Sequence, residues 1–101
     1  MNHQIVMDYE YFNALLEHDL IIEFATGHEH AARLVEVTKL PDVPGQKRVP
    51  FSLLFLTDLR DQYFEQGIFT IKNEDEDMSI FLVPVGFDPK TGGVLYQAIF
   101  N

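Results

Sequence analysis

The sequence predicts a small, mainly β protein: a single-domain antiparallel barrel or sandwich of about six strands, with a short N-terminal helix and a short middle helix. Two observations support this fold class. After the N-terminal helix the period of the side-chain pattern changes to two, as in strands. Turn residues separate these runs at short intervals, as they do in barrels and sandwiches. The chain has 101 residues, and because one core serves a chain of this size we expect one β-rich domain, residues 1–101.

The first predicted element is a helix over residues 8–17. Asp8 is placed as its N-cap, because an aspartate there accepts hydrogen bonds from the free N–H groups of the first turn. Phe12, Leu15 and Leu16 are spaced by three and four residues, so they share one face of the helix. We expect this face to pack on the sheet.

Three strands are predicted next. In residues 20–25, Leu20, Ile22 and Phe24 alternate with Ile21, Glu23 and Ala25, and residues 34–40 are β-branched and half polar. With a turn at residues 26–28 between them, these two runs indicate an antiparallel hairpin. Residues 49–56 are apolar at almost every position, so they are expected to form a central strand that is buried on both faces. Pro50 is acceptable at the start of that strand, where no ladder hydrogen bond is required.

The second half begins with the predicted middle helix, over residues 58–66. Tyr63 and Phe64 follow Leu59 by four and five residues, a spacing that suits one or two helical turns. Strands over residues 68–72, 79–85 and 94–100 follow. A charged tip at residues 73–77 separates the first two, and Pro84 interrupts the second. A turn loop over residues 87–93 precedes the last.

The amino-acid composition excludes several classes of binding partner. Seven Lys and Arg stand against sixteen Asp and Glu, for a net charge of −9. An acidic surface repels phosphate groups, so we expect no direct binding to nucleic acid or to anionic membranes. There is no cysteine, which excludes disulfides and thiolate metal sites. No apolar run approaches the roughly 18 residues of a membrane span, and the N-terminus lacks signal-peptide features, so a cytoplasmic protein is expected.

His28 and His30 are the most metal-like pair in the chain. Residues two apart in a strand face the same side, so both imidazoles are able to approach one ion, with His18 or Glu23 as a third ligand. Two histidines in a polar turn are more often solvated, however, and we predict no metal site and no cofactor. Residues 73–77 also fail as a calcium loop, because Met78 and Pro84 occupy the positions that require Gly and Glu.

No arrangement of residues predicts catalysis. No carboxylate lies within an apolar run. Burial there would raise its pKa toward a catalytic value. Ser52 lacks the Gly-x-Ser-x-Gly pattern of a nucleophile elbow. Gly92 and Gly93 lack the following Lys and Ser or Thr of a phosphate loop. We therefore expect a protein that is not an enzyme.

Loops on a rigid β scaffold carry recognition more often than strands do. The candidate interaction residues are therefore Lys47 and Arg48 in the loop over residues 41–48, and Phe87 and Pro89 in the loop over residues 87–93. Phe87 is the candidate anchor, with the alternative that its side chain folds back onto the sheet.

Several stretches of the chain match a known pattern in order and spacing. They are residues 50–55, 64–69, 80–86 and 96–101, with a looser match over residues 12–17 and 34–37. On these stretches the chain resembles a small uncharacterised bacterial family whose members are often encoded beside phage-tail or tail-collar proteins. The resemblance implies no activity and no catalytic residues, and its gene context concerns partners only.

The leading hypothesis is a structural or protein-interaction module of a phage-tail-like assembly, located in the cytoplasm or in the assembled particle. The apolar strands are also compatible with a homo-oligomer. The alternative is an acidic adaptor or inhibitor that binds a basic partner surface. A third hypothesis, an enzyme or metal-dependent binder, depends on His28 and His30.

Overall fold

Six antiparallel strands close into a barrel in the computed structural model, which describes residues 6–42, 44–45, 47–74 and 76–101. Around the barrel the strands are ordered β1-β2-β3-β6-β5-β4, and β4 pairs back with β1. The closed barrel confirms the predicted fold class and selects the barrel over the sandwich. In chain order the elements are α1 (Tyr9–Asn13), β1 (Asp19–Ala25), β2 (His28–Lys39), β3 (Phe51–Thr57), β4 (Gly67–Asn73), β5 (Glu76–Phe87) and β6 (Val94–Phe100).

Alternating side chains fill the barrel. In β3 every second residue is buried and the residues between them are half-buried. The prediction that this strand is buried on both faces is therefore wrong, because only one side of a single-layer barrel meets the core. Pro50 lies just before β3 and is buried. The largest fully buried side chains include Tyr96, Phe12, Phe51 and Phe55.

The strands β2 and β5 are both longer than predicted. Strand β2 begins at His28, and β5 continues through Pro84, where the pairing shifts between Pro84 and Gly86. That shift is a β-bulge, which accommodates a proline that has no N–H to donate. Gly86 has a φ of 149°, a conformation that glycine adopts without strain. The charged tip shortens accordingly, and its residue 75 lies outside the described residues.

The ladders that join the strands differ in length. Strands β2 and β3 share seven residue pairs, whereas β1 and β4 share the three pairs Ile21–Lys72, Ile22–Ile71 and Glu23–Thr70. The ring thus closes through its shortest ladder, between strands that are far apart in the chain.

Helix α1 closes one end of the barrel, which we call the helix end. Asp8 is its N-cap, as predicted, and accepts a hydrogen bond from the Tyr11 N–H at 2.9 Å. The helix stops at Asn13, earlier than predicted, because the next turn tightens and the Glu17 N–H bonds the Leu34 carbonyl at 2.7 Å. Of the predicted apolar face, Phe12 and Leu15 are buried, whereas Leu16 is exposed.

The predicted middle helix is wrong. Residues 58–66, the plug segment, contain no helix and cross the other end of the barrel, which we call the plug end. Its backbone groups bond to the barrel instead of to each other. The Thr57 hydroxyl accepts from the Leu59 N–H at 3.3 Å, and the Val94 N–H donates to the Leu59 carbonyl at 2.9 Å. These tertiary hydrogen bonds outweigh the weak helical preference of a short segment.

Candidate functional site

Both ends of the barrel are sealed by aromatic side chains. At the helix end, the rings of Phe51 and Phe100 stack with centroids 4.8 Å apart, and Phe12 packs against both. At the plug end, Phe64 stacks on Phe24 with centroids 4.7 Å apart. The interior is therefore a packed core, and any binding function has to lie on the outside.

The phenol of Tyr96 holds the plug segment in place. Its hydroxyl donates to the Phe64 carbonyl and accepts from the Phe64 N–H, both at 2.8 Å. Burial raises the pKa of Tyr96 above the ordinary value, because it disfavours the charged phenolate. One buried hydroxyl thus fixes the position of a segment that has no secondary structure of its own.

The two candidate metal-binding histidines do face the same side. Their rings lie 5.8 Å (His28) and 6.0 Å (His30) from the ring of Phe64, measured between centroids. The third group near them is Asp58, whose Oδ1 is 3.1 Å from Nδ1 of His30. Within the described ranges no three histidine, cysteine or acidic side chains are grouped so that they could hold a metal ion.

The third ligands that the sequence proposed lie elsewhere. Glu23 is on the outer side of β1, 4.0 Å from the ammonium group of Lys72. His18 is exposed between α1 and β1. The sequence therefore predicted correctly that the two histidines face the same side, but neither of the third ligands it proposed lies near them.

The candidate interaction residues fall at opposite ends of the barrel. Phe87 ends β5 at the plug end, where it is 58% exposed, so its side chain does not fold back onto the sheet. Pro89 is exposed in the following turn. Lys47 and Arg48 are exposed at the helix end, between β2 and β3. Because a strand of seven residues spans roughly 20 Å, these two pairs do not form one surface.

The turn after Phe87 is strongly hydrogen-bonded. The carboxylate of Asp88 accepts from both the N–H and the hydroxyl of Thr91, each at 2.9 Å. These bonds, led by that of the hydroxyl, lower the pKa of Asp88 below its usual value. Gly93 is buried against the Thr57 carbonyl, where a Cβ would clash with the backbone. Phe87 is thus presented by a rigid turn.

A groove runs between the plug segment and the end of β5, and we call it the plug groove. Its first part encloses about 210 Å³ between Tyr63, Pro84, Gly86, Phe87 and Val94. Its second part, of about 480 Å³, shares Tyr63 and Pro84 and extends to Glu65, Gln66 and Val83. Sequence reasoning missed Tyr63, because a helix over residues 58–66 would have placed it on the core side with Leu59.

A second surface lies on the outer side of β3, β6, the middle of β5 and the first part of β4, and we call it the uncharged face. Strand alternation turns every second side chain outward. The outward side chains within residues 52–56, 68–70, 79–83 and 95–99 are uncharged, and the paired Lys72 and Asp77 border the face toward the helix end. The face is continuous across the strands, since Ile68 is paired with Phe81, Val83 with Gln97, and Leu95 with Leu56. Its residues are Ser52, Leu54, Leu56, Ile68, Thr70, Ser79, Phe81, Val83, Leu95, Gln97 and Ile99.

Large apolar side chains are well exposed on this face. Ile68 is 71% exposed, Ile99 57% and Phe81 50%. The outer side of β1 and β2 is different, because it carries ion pairs. The Arg33 guanidinium lies 3.0 Å from the Asp19 carboxylate, and the Lys72 ammonium of β4 lies 2.7 Å from that of Glu29. The outer surface therefore carries ion pairs around β1 and β2 and an uncharged face across β3, β6 and the adjoining parts of β5 and β4.

Comparisons with known proteins give a family and no activity. No curated protein and no solved structure matches the chain. Helix α1 has five residues, and no helix in the described ranges is long and apolar enough to cross a bilayer. A family model described as a domain of unknown function, DUF6916, matches residues 7–100. This match includes the helix and all six strands described above, and the chain belongs to the DUF6916 family.

Proposed function

We propose that this protein is a non-enzymatic interaction module that docks onto other proteins through its uncharged face. The observation that carries the proposal is the contrast between that face and the rest of the molecule. A chain of net charge −9 carries a continuous face of eleven outward residues without a charge and exposes Ile68, Phe81 and Ile99 there. Exposed apolar patches of this kind mark protein-protein contacts.

The energetics favour docking by this face. Burying the exposed part of a large apolar side chain stabilises a complex by about 1 kcal/mol. Because the face carries no charge, docking does not pay the desolvation cost of an ionised group. The partner surface that fits best is apolar at its centre and carries neutral polar groups beside Thr70, Ser79 and Gln97.

The assembly we propose is phage-tail-like, with the protein in the cytoplasm before it joins the particle. The support is the resemblance to a family encoded beside phage-tail and tail-collar proteins, together with the docking face. The proposed absence of catalysis is supported by the surroundings of His30. Its imidazole contacts Asp58 and the ring of Phe64, and a phenyl ring offers no nucleophile for this base to activate.

The alternative proposal is an acidic adaptor or inhibitor that binds a basic partner, and the net charge of −9 favours it. A mimic of nucleic-acid charge would need its carboxylates free and on one side. Here Asp19 and Glu29 are paired with Arg33 and Lys72. The adaptor therefore remains the second candidate.

The test is affinity capture from the native host with two matched variants. Ile68→Glu introduces a charge on the uncharged face, and Ile21→Glu makes the same change on the outer side of β1, at an isoleucine that is 37% exposed. We expect the unmodified protein and Ile21→Glu to capture tail, baseplate or fibre proteins, and Ile68→Glu to lose them. Equal capture of these proteins by all three would contradict docking through the uncharged face. Capture of a nuclease or a DNA-binding protein would favour the acidic adaptor.

A further inference from the structure

We propose that the plug groove binds an extended, proline-containing segment of a partner protein that also carries a lysine or arginine. This proposal rests on the proposed function, since it names a class of partner for an interaction module. It concerns the plug end of the barrel, where the groove adjoins the uncharged face at Val83.

The walls of the groove are aromatic and face solvent. Tyr63 on the plug segment is 57% exposed and Phe87 on β5 is 58% exposed, and the two rings flank the same cavity. Aromatic side chains supply much of the contact energy where proteins meet, and they lose little conformational entropy on binding. The supports of both walls are rigid. The Tyr96 hydroxyl fixes the plug segment, and the hydrogen-bonded turn after Phe87 fixes the end of β5.

The β5 side of the groove does not suit the addition of a strand. Strand β4 pairs with β5 only as far as Leu82, so the following residues of β5 border the groove. Pro84 has no N–H to donate, and the β5 backbone is irregular between Pro84 and Gly86, where its pairing with β6 shifts. A ligand held by a β-ladder is therefore disfavoured. Polyproline-type segments need no ladder, because they dock by packing proline rings between aromatic side chains.

Charge identifies the second feature of the ligand. Glu65 is the ionisable carboxylate among the residues that line the groove, and it lies in the second part, beyond Tyr63. A carboxylate at one end of an apolar groove pairs with a lysine or arginine that follows the apolar residues. The net charge of −9 attracts such a ligand at long range.

The test uses fluorescence anisotropy with three labelled peptides. The first is an oligoproline that ends in arginine, the second the same oligoproline ending in glutamate, and the third a glycine–serine peptide ending in arginine. We expect the first to bind, the second to bind about threefold more weakly, and the third not to bind. Failure of the first peptide to bind would overturn the proposal, as would equal binding of the first and third.

Variants then assign the binding to the groove. Tyr63→Ala and Phe87→Ala each lower affinity for the first peptide about tenfold. Glu65→Gln removes the preference for arginine over glutamate. Ile99→Glu, on the part of the uncharged face nearest the helix end, is the matched control and leaves peptide affinity unchanged. Unchanged binding by Tyr63→Ala would refute the groove while leaving the Ile68-dependent capture intact, so the two proposals fail separately.

Discussion

The substitution Tyr96→Phe tests how the plug segment is held. It removes one oxygen atom and leaves the buried ring, with its 5.1 Å centroid contact to Phe24, in place. Two hydrogen bonds to Phe64 are lost. A typical hydrogen bond contributes about 0.5–1.5 kcal/mol, and a polar group left unsatisfied costs more. We therefore expect the free energy of unfolding to fall by about 2 kcal/mol.

Urea and thermal denaturation measure this loss. For a domain of this size it corresponds to a decrease in Tm of roughly 8–16 °C. The denaturant m-value stays the same, because the fold and its buried surface do not change. Native-state hydrogen exchange at the Phe64 amide accelerates as well. Tyr63→Phe, at a residue that is 57% exposed, is the matched control and changes stability little. A Tyr96→Phe protein as stable as this control would refute the assignment of the phenol as the anchor of the plug segment.

Three further predictions follow from the same structure. Gly93→Ala lowers the free energy of unfolding by about 3 kcal/mol, because its Cβ would meet the Thr57 carbonyl. Gly92→Ala is the control and lowers it by about 1 kcal/mol, through the positive φ of Gly92 alone. Urea denaturation compares the two variants, and equal losses of stability would contradict the clash. Burial raises the pKa of both Tyr11 and Tyr96 above 10.0, so their neutral forms stabilise the fold fully below that pH and progressively less above it. An ultraviolet titration should show late-ionising tyrosine signals that Tyr11→Phe and Tyr96→Phe each remove, and titration curves that lose no late signal in either variant would exclude this. The turn hydroxyl lowers the pKa of Asp88 below 3.8, so its contribution to stability is present above that pH and is lost as the pH falls through the lowered value; Asp88→Asn should flatten the acid limb of the stability curve, and an unchanged limb would count against it.

The strands of this fold could be predicted because their signal is local. In residues 20–25 the sequence pattern groups Leu20, Ile22 and Phe24 on one side, and β1 buries these three side chains. Asp8 was likewise identified as an N-cap from its position before the first apolar residues of α1.

The middle helix could not be predicted correctly because its determinants are distant in sequence. The spacing of Leu59, Tyr63 and Phe64 suits a helix, yet it contains no information about Tyr96, which captures the Phe64 backbone from 32 residues away. Moving Tyr63 out of a helix is also what creates the plug groove, so an error in local structure concealed a candidate site.

The candidate interaction residues show the same division. Exposure of Phe87 could be anticipated from a turn rich in Pro, Lys and Gly. The separation of Phe87 from Lys47 and Arg48 could not, because it depends on which end of the barrel each loop occupies. Predicting the uncharged face would also have required the strand register, because Ile68 and Phe81 become neighbours only through the pairing of β4 with β5.

The short ladder between β1 and β4 has a consequence for assembly. Three residue pairs close the ring, so this is where the fewest hydrogen bonds oppose a transient opening. Opening there would release two strand edges whose natural complements are the same edges of a second molecule. At high protein concentration, β1 of one opened copy would pair with β4 of another and the reverse, which rebuilds the three-pair ladder twice, and such a dimer would separate only when both ladders open again.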